Sequence, residues 1–112
     1  MIGRRKKPDA LQGTLDLLVL KTLSRGPQHG YAIAAHIQTI SDDMLRVEEG
    51  SLYPALHRME DLGWITAAWQ RTSNNRRARV YALTRAGCVR LDEERAKWEQ
   101  LTKAVAKVLR FA

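Results

Sequence analysis

A chain of 112 residues with one cysteine, Cys88, cannot carry an internal disulfide framework, which agrees with a reducing compartment. No run of about 18 uncharged apolar residues occurs anywhere, and this argues against a membrane-spanning helix. The opening Met1-Ile2-Gly3-Arg4-Arg5-Lys6-Lys7 has the charge of the first part of a secretory signal, yet no uninterrupted apolar segment follows it. The protein is therefore expected to be cytoplasmic. Also missing are a glycine-rich phosphate loop, a metal-ligand cluster, and a nucleophile with a base and an orienting acid, so neither an enzyme, a cofactor nor a metal is expected. His29 and His36 can lie near one helix face, but without a third ligand they read as surface or capping residues.

Acidic residues are in short supply as well. Nineteen Lys and Arg against twelve Asp and Glu leave a formal charge of +7. Such a field favours a polyanionic partner, with nucleic acid ahead of an anionic membrane surface. The length suits one domain with its own core, small enough to gain from a partner subunit.

Residues 1–8 gather the cations Arg4, Arg5, Lys6 and Lys7 before Pro8. They read either as a solvated tail or as an arm touching DNA phosphates or a minor groove. Leu11, Leu15, Leu18, Leu20 and Leu23, with Val19, describe a mostly buried helix ended by Gly26-Pro27. Ile33, Ile37 and Ile40 mark a second, shorter helix, whose first turn, His29 to Tyr31, sets polar and aromatic groups beside free backbone amides. Ser41-Asp42-Asp43 breaks the pattern as a loop, and Val47 is expected to pair as a very short strand.

Gly50 to Ile65 holds a third helix with two unlike faces. Leu52, Ala55, Leu56, Met59 and Leu62 recur at three- and four-residue intervals and should face the core, whereas Ser51, Tyr53, Pro54, His57, Arg58 and Asp61 form a polar face open to a ligand. Pro54 is comfortable near the first turn, which sets the start near Gly50, and Gly63 can take the left-handed conformation that stops the helix. Two strands should follow, Ile65–Arg71 and Arg77–Leu83, around a Thr72–Arg76 tip rich in turn formers. Arg71, Arg76, Arg77 and Arg79 crowd this hairpin, and no acidic residue lies between Gln70 and Leu83 to neutralise them.

Thr84 reads as an N-cap for a proline-free helix over Arg85–Leu109, on the order of 38 Å long. Leu91, Trp98 and Val105 recur every seven residues, with Leu101 and Val108 between them, so a narrow apolar seam runs along it. A domain this small can cover only the first turns, and the Trp98–Leu109 half needs a second subunit. Cys88, one turn before Leu91, reads as a small core hydrophobe rather than a redox sensor.

Helix, helix, loop, helix and a basic two-stranded hairpin is the order of a winged helix-turn-helix, a mainly α (α+β) fold in which the third helix enters the DNA major groove. The expected division is a basic arm at 1–8, a DNA-binding domain at 9–84 and a dimerisation helix at 85–112. Gly13-Thr14-Leu15-Asp16, His29-Gly30-Tyr31, Gly50 to Glu60, Gly63-Trp64-Ile65, Asn74 to Arg79 and Leu83 to Gly87 together resemble the PadR family of transcriptional regulators, from about Leu11 to Trp98.

The resemblance implies a homodimeric repressor on an inverted repeat of double-stranded DNA, in the short subgroup with one C-terminal helix. It places Tyr31 at a DNA-side tyrosine position, Ser51, Tyr53 and Pro54 at the exposed start of the recognition helix, and Arg76, Arg77 and Arg79 in the wing. Some short members bind flat aromatic compounds at the dimer interface, so a small planar aromatic effector against Trp98 is a second use for that ring beside seam packing. One departure is Val80-Tyr81, where the family commonly has paired tyrosines. The DNA-facing set is thus His29, Tyr31, Ser51, Tyr53, Pro54, His57, Arg58, Asn75, Arg76, Arg77 and Arg79. Arg58 has an alternative use in a salt bridge to Glu60, Asp61 or neighbours. The rival function is a winged helix whose basic wing meets an acidic protein.

Overall fold

The computed structural model describes residues 9–111, with side chains from Gly13 onward; the arm cations Arg4, Arg5, Lys6 and Lys7 and the side chain of Leu11 lie outside them. The apolar spacing of the first helical segment yields α1 (Asp9–Leu23), which buries Val19, Leu20 and Leu23. A second helix, α2 (Gly30–Ile40), buries Ile33 and Ile37 against it. Ile40 stays exposed, because the chain turns away at Ser41 and passes through left-handed Asp42 and Asp43 (φ 55 and 66).

The third helix, α3 (Glu49–Asp61), buries Leu52, Ala55, Leu56 and Met59 as its spacing demands. Leu62 departs from the stripe and is exposed: the helix has ended, and Gly63 turns the chain at φ 82. α3 starts at Glu49, one residue before the expected Gly50, so Pro54 is sixth in the helix and the Gly50 carbonyl lacks the amide it would accept from. Gly50 is exposed, where water can replace that donor.

Two strands, β2 (Ile65–Arg71) and β3 (Arg77–Leu83), have the bounds that alternation and turn chemistry imply, and pair from Ile65↔Leu83 to Arg71↔Arg77. The expected short strand at Val47 is corrected. Val47 only packs against the core, and the third strand is β1 (Gln28–His29), giving a β1-β3-β2 sheet with Gln28 opposite Tyr81. The physical reason is that β3 has a free edge beside the start of α2, where two extended residues suffice to satisfy it.

Thr84 caps α4 (Arg85–Phe111): its hydroxyl accepts from the Gly87 amide at 3.0 Å and donates towards the Gly63 and Trp64 carbonyls at 2.7 and 3.0 Å. The first turns of α4 lie on α1, and two further expectations change there. Leu91, placed in the dimer seam by its heptad spacing, is 6% exposed and belongs to the core of its own chain. Cys88 is exposed rather than a core residue, because the buried stripe of α4 runs through Gly87, Leu91 and Glu94 and Cys88 lies beside it. From Arg95 to Phe111 every residue is exposed, and the longest dimension reaches 57 Å.

Candidate nucleic-acid interface

The register of the β2–β3 hairpin decides which side chains share a face. Ile65, Ala67, Trp69 and Arg71 stand opposite Leu83, Tyr81, Arg79 and Arg77. At the base of the hairpin this face is core, with Ile65 and Tyr81 buried. Towards the tip the same face runs past the end of the core and carries Trp69 and the arginines into the open. A cleft of about 450 Å³ lies between this face, the start of α2 and the polar face of α3.

His29 and Tyr31 stack at the α2 end of the cleft, ring centroids 5.4 Å apart. Tyr53, from the first half of α3, lays its ring across Gly30; a Cβ on Gly30 would stand 2.7 Å from the Tyr53 hydroxyl and 2.8 Å from Cε1. Burial, with the Glu49 carboxylate second, pushes the Tyr53 phenol above its ordinary value. Burial does the same for Tyr81; Arg79 opposes that shift, and Tyr53 and Glu60 add to it. Both phenols therefore remain protonated donors at neutral pH. His57, exposed on α3, lies 3.6 Å from Asp61 one turn on.

Because the flexible end of a side chain, not backbone, lies over Gly30, Gly30→Ala is expected to move the Tyr53 ring rather than unfold the helix. Stability should fall by about 1–2 kcal/mol, while affinity for DNA falls. Parallel urea melts and duplex titrations of that variant check this, and an undisturbed affinity would argue against a DNA-side Tyr53.

The wing arginines have unequal freedom. Arg71 and Arg77 face each other, an unfavourable like-charge pair. They part: Arg71 donates to the Asn75 side chain at 2.9 Å and to its carbonyl at 3.3 Å, while Arg77 sits 4.8 Å from the Trp69 ring centroid. Asn75 is left-handed (φ 65), and its amide donates to the Thr72 carbonyl at 2.9 Å. Its conformation and side-chain oxygen therefore shape the tip, on which the residue stays exposed. Arg76 is exposed. Arg79 is bound to Glu60 of α3 at 3.2 Å and lies over Trp69 and Tyr81, which ties the wing to α3.

The Arg58 Nη2 donates to Asp16 Oδ1 at 2.6 Å, and Asp16 is 5% exposed on α1. Of the two uses the sequence offered Arg58, the structure shows the salt bridge, with Asp16 of α1 rather than Glu60 or Asp61 as its partner, because a buried carboxylate between α1 and α3 needs a counter-charge. Ser51 and Pro54 are exposed near the start of α3.

A second cleft, of about 500 Å³, opens on the other side between α1 and α4, with Trp98 and Leu101 at its rim. It contains two buried carboxylates, Asp16 and Glu94, the latter 2.6 Å from Arg90 and 3.7 Å from Lys97. Arg90 also lies over the Trp64 ring at 4.8 Å. Trp98 is 43% exposed, and Val105 and Val108 continue an uncovered seam. Among the described residues no group of three or more His, Cys, Asp or Glu could hold a metal ion, and no helix is long and apolar enough to cross a membrane.

The family model of the transcriptional regulator PadR-like family matches residues 19–93, from mid-α1 to the early turns of α4. The chain belongs to that family. Among curated relatives, Transcriptional regulator Rv3488 of Mycobacterium tuberculosis is 41% identical over 68 residues, 61% of this chain and 63% of that protein. Among solved structures, a transcriptional regulator from Clostridium thermocellum superposes with a TM-score of 0.80 at 27% identity, over 89% of this chain and 97% of that one. A PadR-family transcriptional regulator from Eggerthella lenta gives 0.73 at 33% identity, over 89% and 86%. This PadR-like chain therefore has the winged-helix fold of a transcriptional regulator. The residue that sequence reasoning missed is Trp69, the aromatic centre of the wing. A signal for it existed, since a connection from Thr72 to Arg76 pairs Arg71 with Arg77 and hence Trp69 with Arg79.

Proposed function

We propose that this PadR-like regulator is a homodimeric repressor that binds an inverted-repeat operator. Residues 9–84 are its DNA-binding unit, 85–112 its dimerisation helix, and 1–8 an arm that adds phosphate contacts. The observation that carries the reading is the cleft in which the polar face of α3 and the cationic wing meet. Arg76 and Arg77 neutralise backbone phosphates, and Arg79 does so while braced by Glu60. Ser51, Tyr53, Pro54 and His57 meet base edges or the phosphates beside them, with His29 and Tyr31 at the flank. Trp98, Leu101, Val105 and Val108 pair with the same seam of a second copy, which sets two recognition helices roughly 34–36 Å apart. The cleft at Trp98 accepts a planar aromatic effector that releases the DNA.

The test begins with a footprint on a short inverted repeat upstream of the gene for this protein. Affinity for the protected duplex is expected to fall with salt at a log-log slope of about minus five or steeper, if six or more phosphates are neutralised. Arg77→Ala should weaken operator and random duplex alike by about tenfold, whereas Tyr53→Ala should lower the ratio between them. Equal, weak binding to every duplex would sink the specific repressor, and a monomer by sedimentation at micromolar concentration would remove the seam.

A further inference from the structure

Trp69 has no packing role that accounts for it. The indole is 56% exposed and lies outside the core cluster, on a strand whose other exposed positions are small or polar. Two guanidiniums flank it, Arg77 at 4.8 Å and Arg79 at 5.5 Å from the ring centroid. Neither is held there by the backbone alone. Arg77 faces the like charge of Arg71 across the hairpin, and Arg71 is withdrawn to Asn75. Arg79 spends Nη2 on Glu60, while its Nε is buried with no partner among the described residues.

We propose that Trp69 is a positioning residue for nucleic-acid binding. Its ring is a platform that fixes the Arg77 and Arg79 guanidiniums at one separation, so that the wing meets backbone phosphates as a preorganised unit. The inference rests on the DNA-binding reading above. A cation over an indole face is attracted by the ring quadrupole and gives up part of its freedom before the ligand arrives. A long arginine left free must be ordered at the moment of binding, and that entropy is subtracted from affinity. The phosphate oxygens are strong acceptors for the guanidinium donors that Glu60 does not occupy. The platform adds no charge of its own. Its loss should therefore lower affinity on every sequence with little change in the salt slope, unlike the loss of an arginine.

The experiment uses the full chain and a random-sequence duplex of about 30 base pairs, titrated by fluorescence anisotropy at several salt concentrations. Trp69→Ala is expected to weaken binding about five- to thirtyfold, because two arginine side chains must then be ordered at the moment of binding. Trp69→Leu, which keeps bulk but has no π-face, should lose nearly as much, and Trp69→Phe should stay within about threefold of the parent. In an R77A/R79A background, Trp69→Ala should cost less than about twofold further, because the groups it positions are gone. A merely structural ring would give the same loss in both backgrounds, and Leu would rescue as well as Phe; either result overturns the proposal. So does unchanged affinity in Trp69→Ala. If Trp69→Ala does not fold, as read by its thermal melt, the Leu and Phe variants decide. Failure of the parent chain to bind the duplex at any salt rejects the DNA-binding reading, and the platform with it. A parent that binds with Trp69 indifferent rejects the platform alone.

Discussion

Arg58→Ala is expected to lower the stability of the free protein by about 2–4 kcal/mol, seen as a fall in the urea midpoint at fixed protomer concentration with an unchanged slope. The variant removes the group 2.6 Å from Asp16 and leaves a carboxylate that is 5% exposed on α1. An uncompensated buried charge loses its hydration without recovering it from a partner, and this asymmetry makes the removal of one member costlier than the pair is worth. Asp16→Ala should cost less, because the Arg58 side chain is about one-third exposed (33%) and can turn to water. The order of the two variants is part of the expectation. An arginine that read bases would behave oppositely, keeping the urea midpoint and losing only discrimination between operator and random DNA. The bridge also joins α1 at the Trp98 cleft to α3, so on the proposed function affinity for DNA should fall in Arg58→Ala through misplacement of α3.

Gly87→Ala should cost about 3 kcal/mol and lower the melting temperature by roughly 10 °C or more. A methyl group there would collide with the Trp64 carbonyl oxygen and come within 2.7 Å of Leu83 Cδ1. The carbonyl cannot withdraw, since it accepts from the Thr84 amide and hydroxyl, both at 3.0 Å. Relief requires lifting the first turn of α4 off the sheet, which disturbs the capping that starts the helix. The sign is the informative part: Gly to Ala inside an exposed helix ordinarily stabilises by up to about 1 kcal/mol. Gly50, in the first turn of α3, has nothing within 4 Å of its would-be Cβ. Gly50→Ala should therefore be neutral or stabilising in the same melts, and equal effects at the two glycines would contradict the close approach at Gly87.

Local signals carried the elements well. The three- and four-residue spacing of Leu52, Leu56 and Met59, the alternation ending at Arg71, the turn formers of Thr72–Arg76 and the Thr84 cap each act within a few residues. The same locality explains the misses. Leu91 carries the period of a seam residue, and only the docking of α4 on α1 turns it into core. Cys88 is apolar enough for a core and simply faces outward. The third strand at Gln28–His29 is two residues long, too short for any alternation, and exists because β3 offers a free edge.

By itself the amino-acid order determined the helix and strand periods, the charge of +7 and its concentration in an acid-free hairpin, and with these a winged helix suited to a polyanion. Only the tertiary structure decided how each arginine is used. Charge and period are properties of a residue and its neighbours, whereas a partner is chosen by where distant segments meet. Asp16 lies 42 positions from Arg58, Glu60 lies 19 from Arg79, and Trp69 meets Arg77 and Arg79 only after the hairpin has closed.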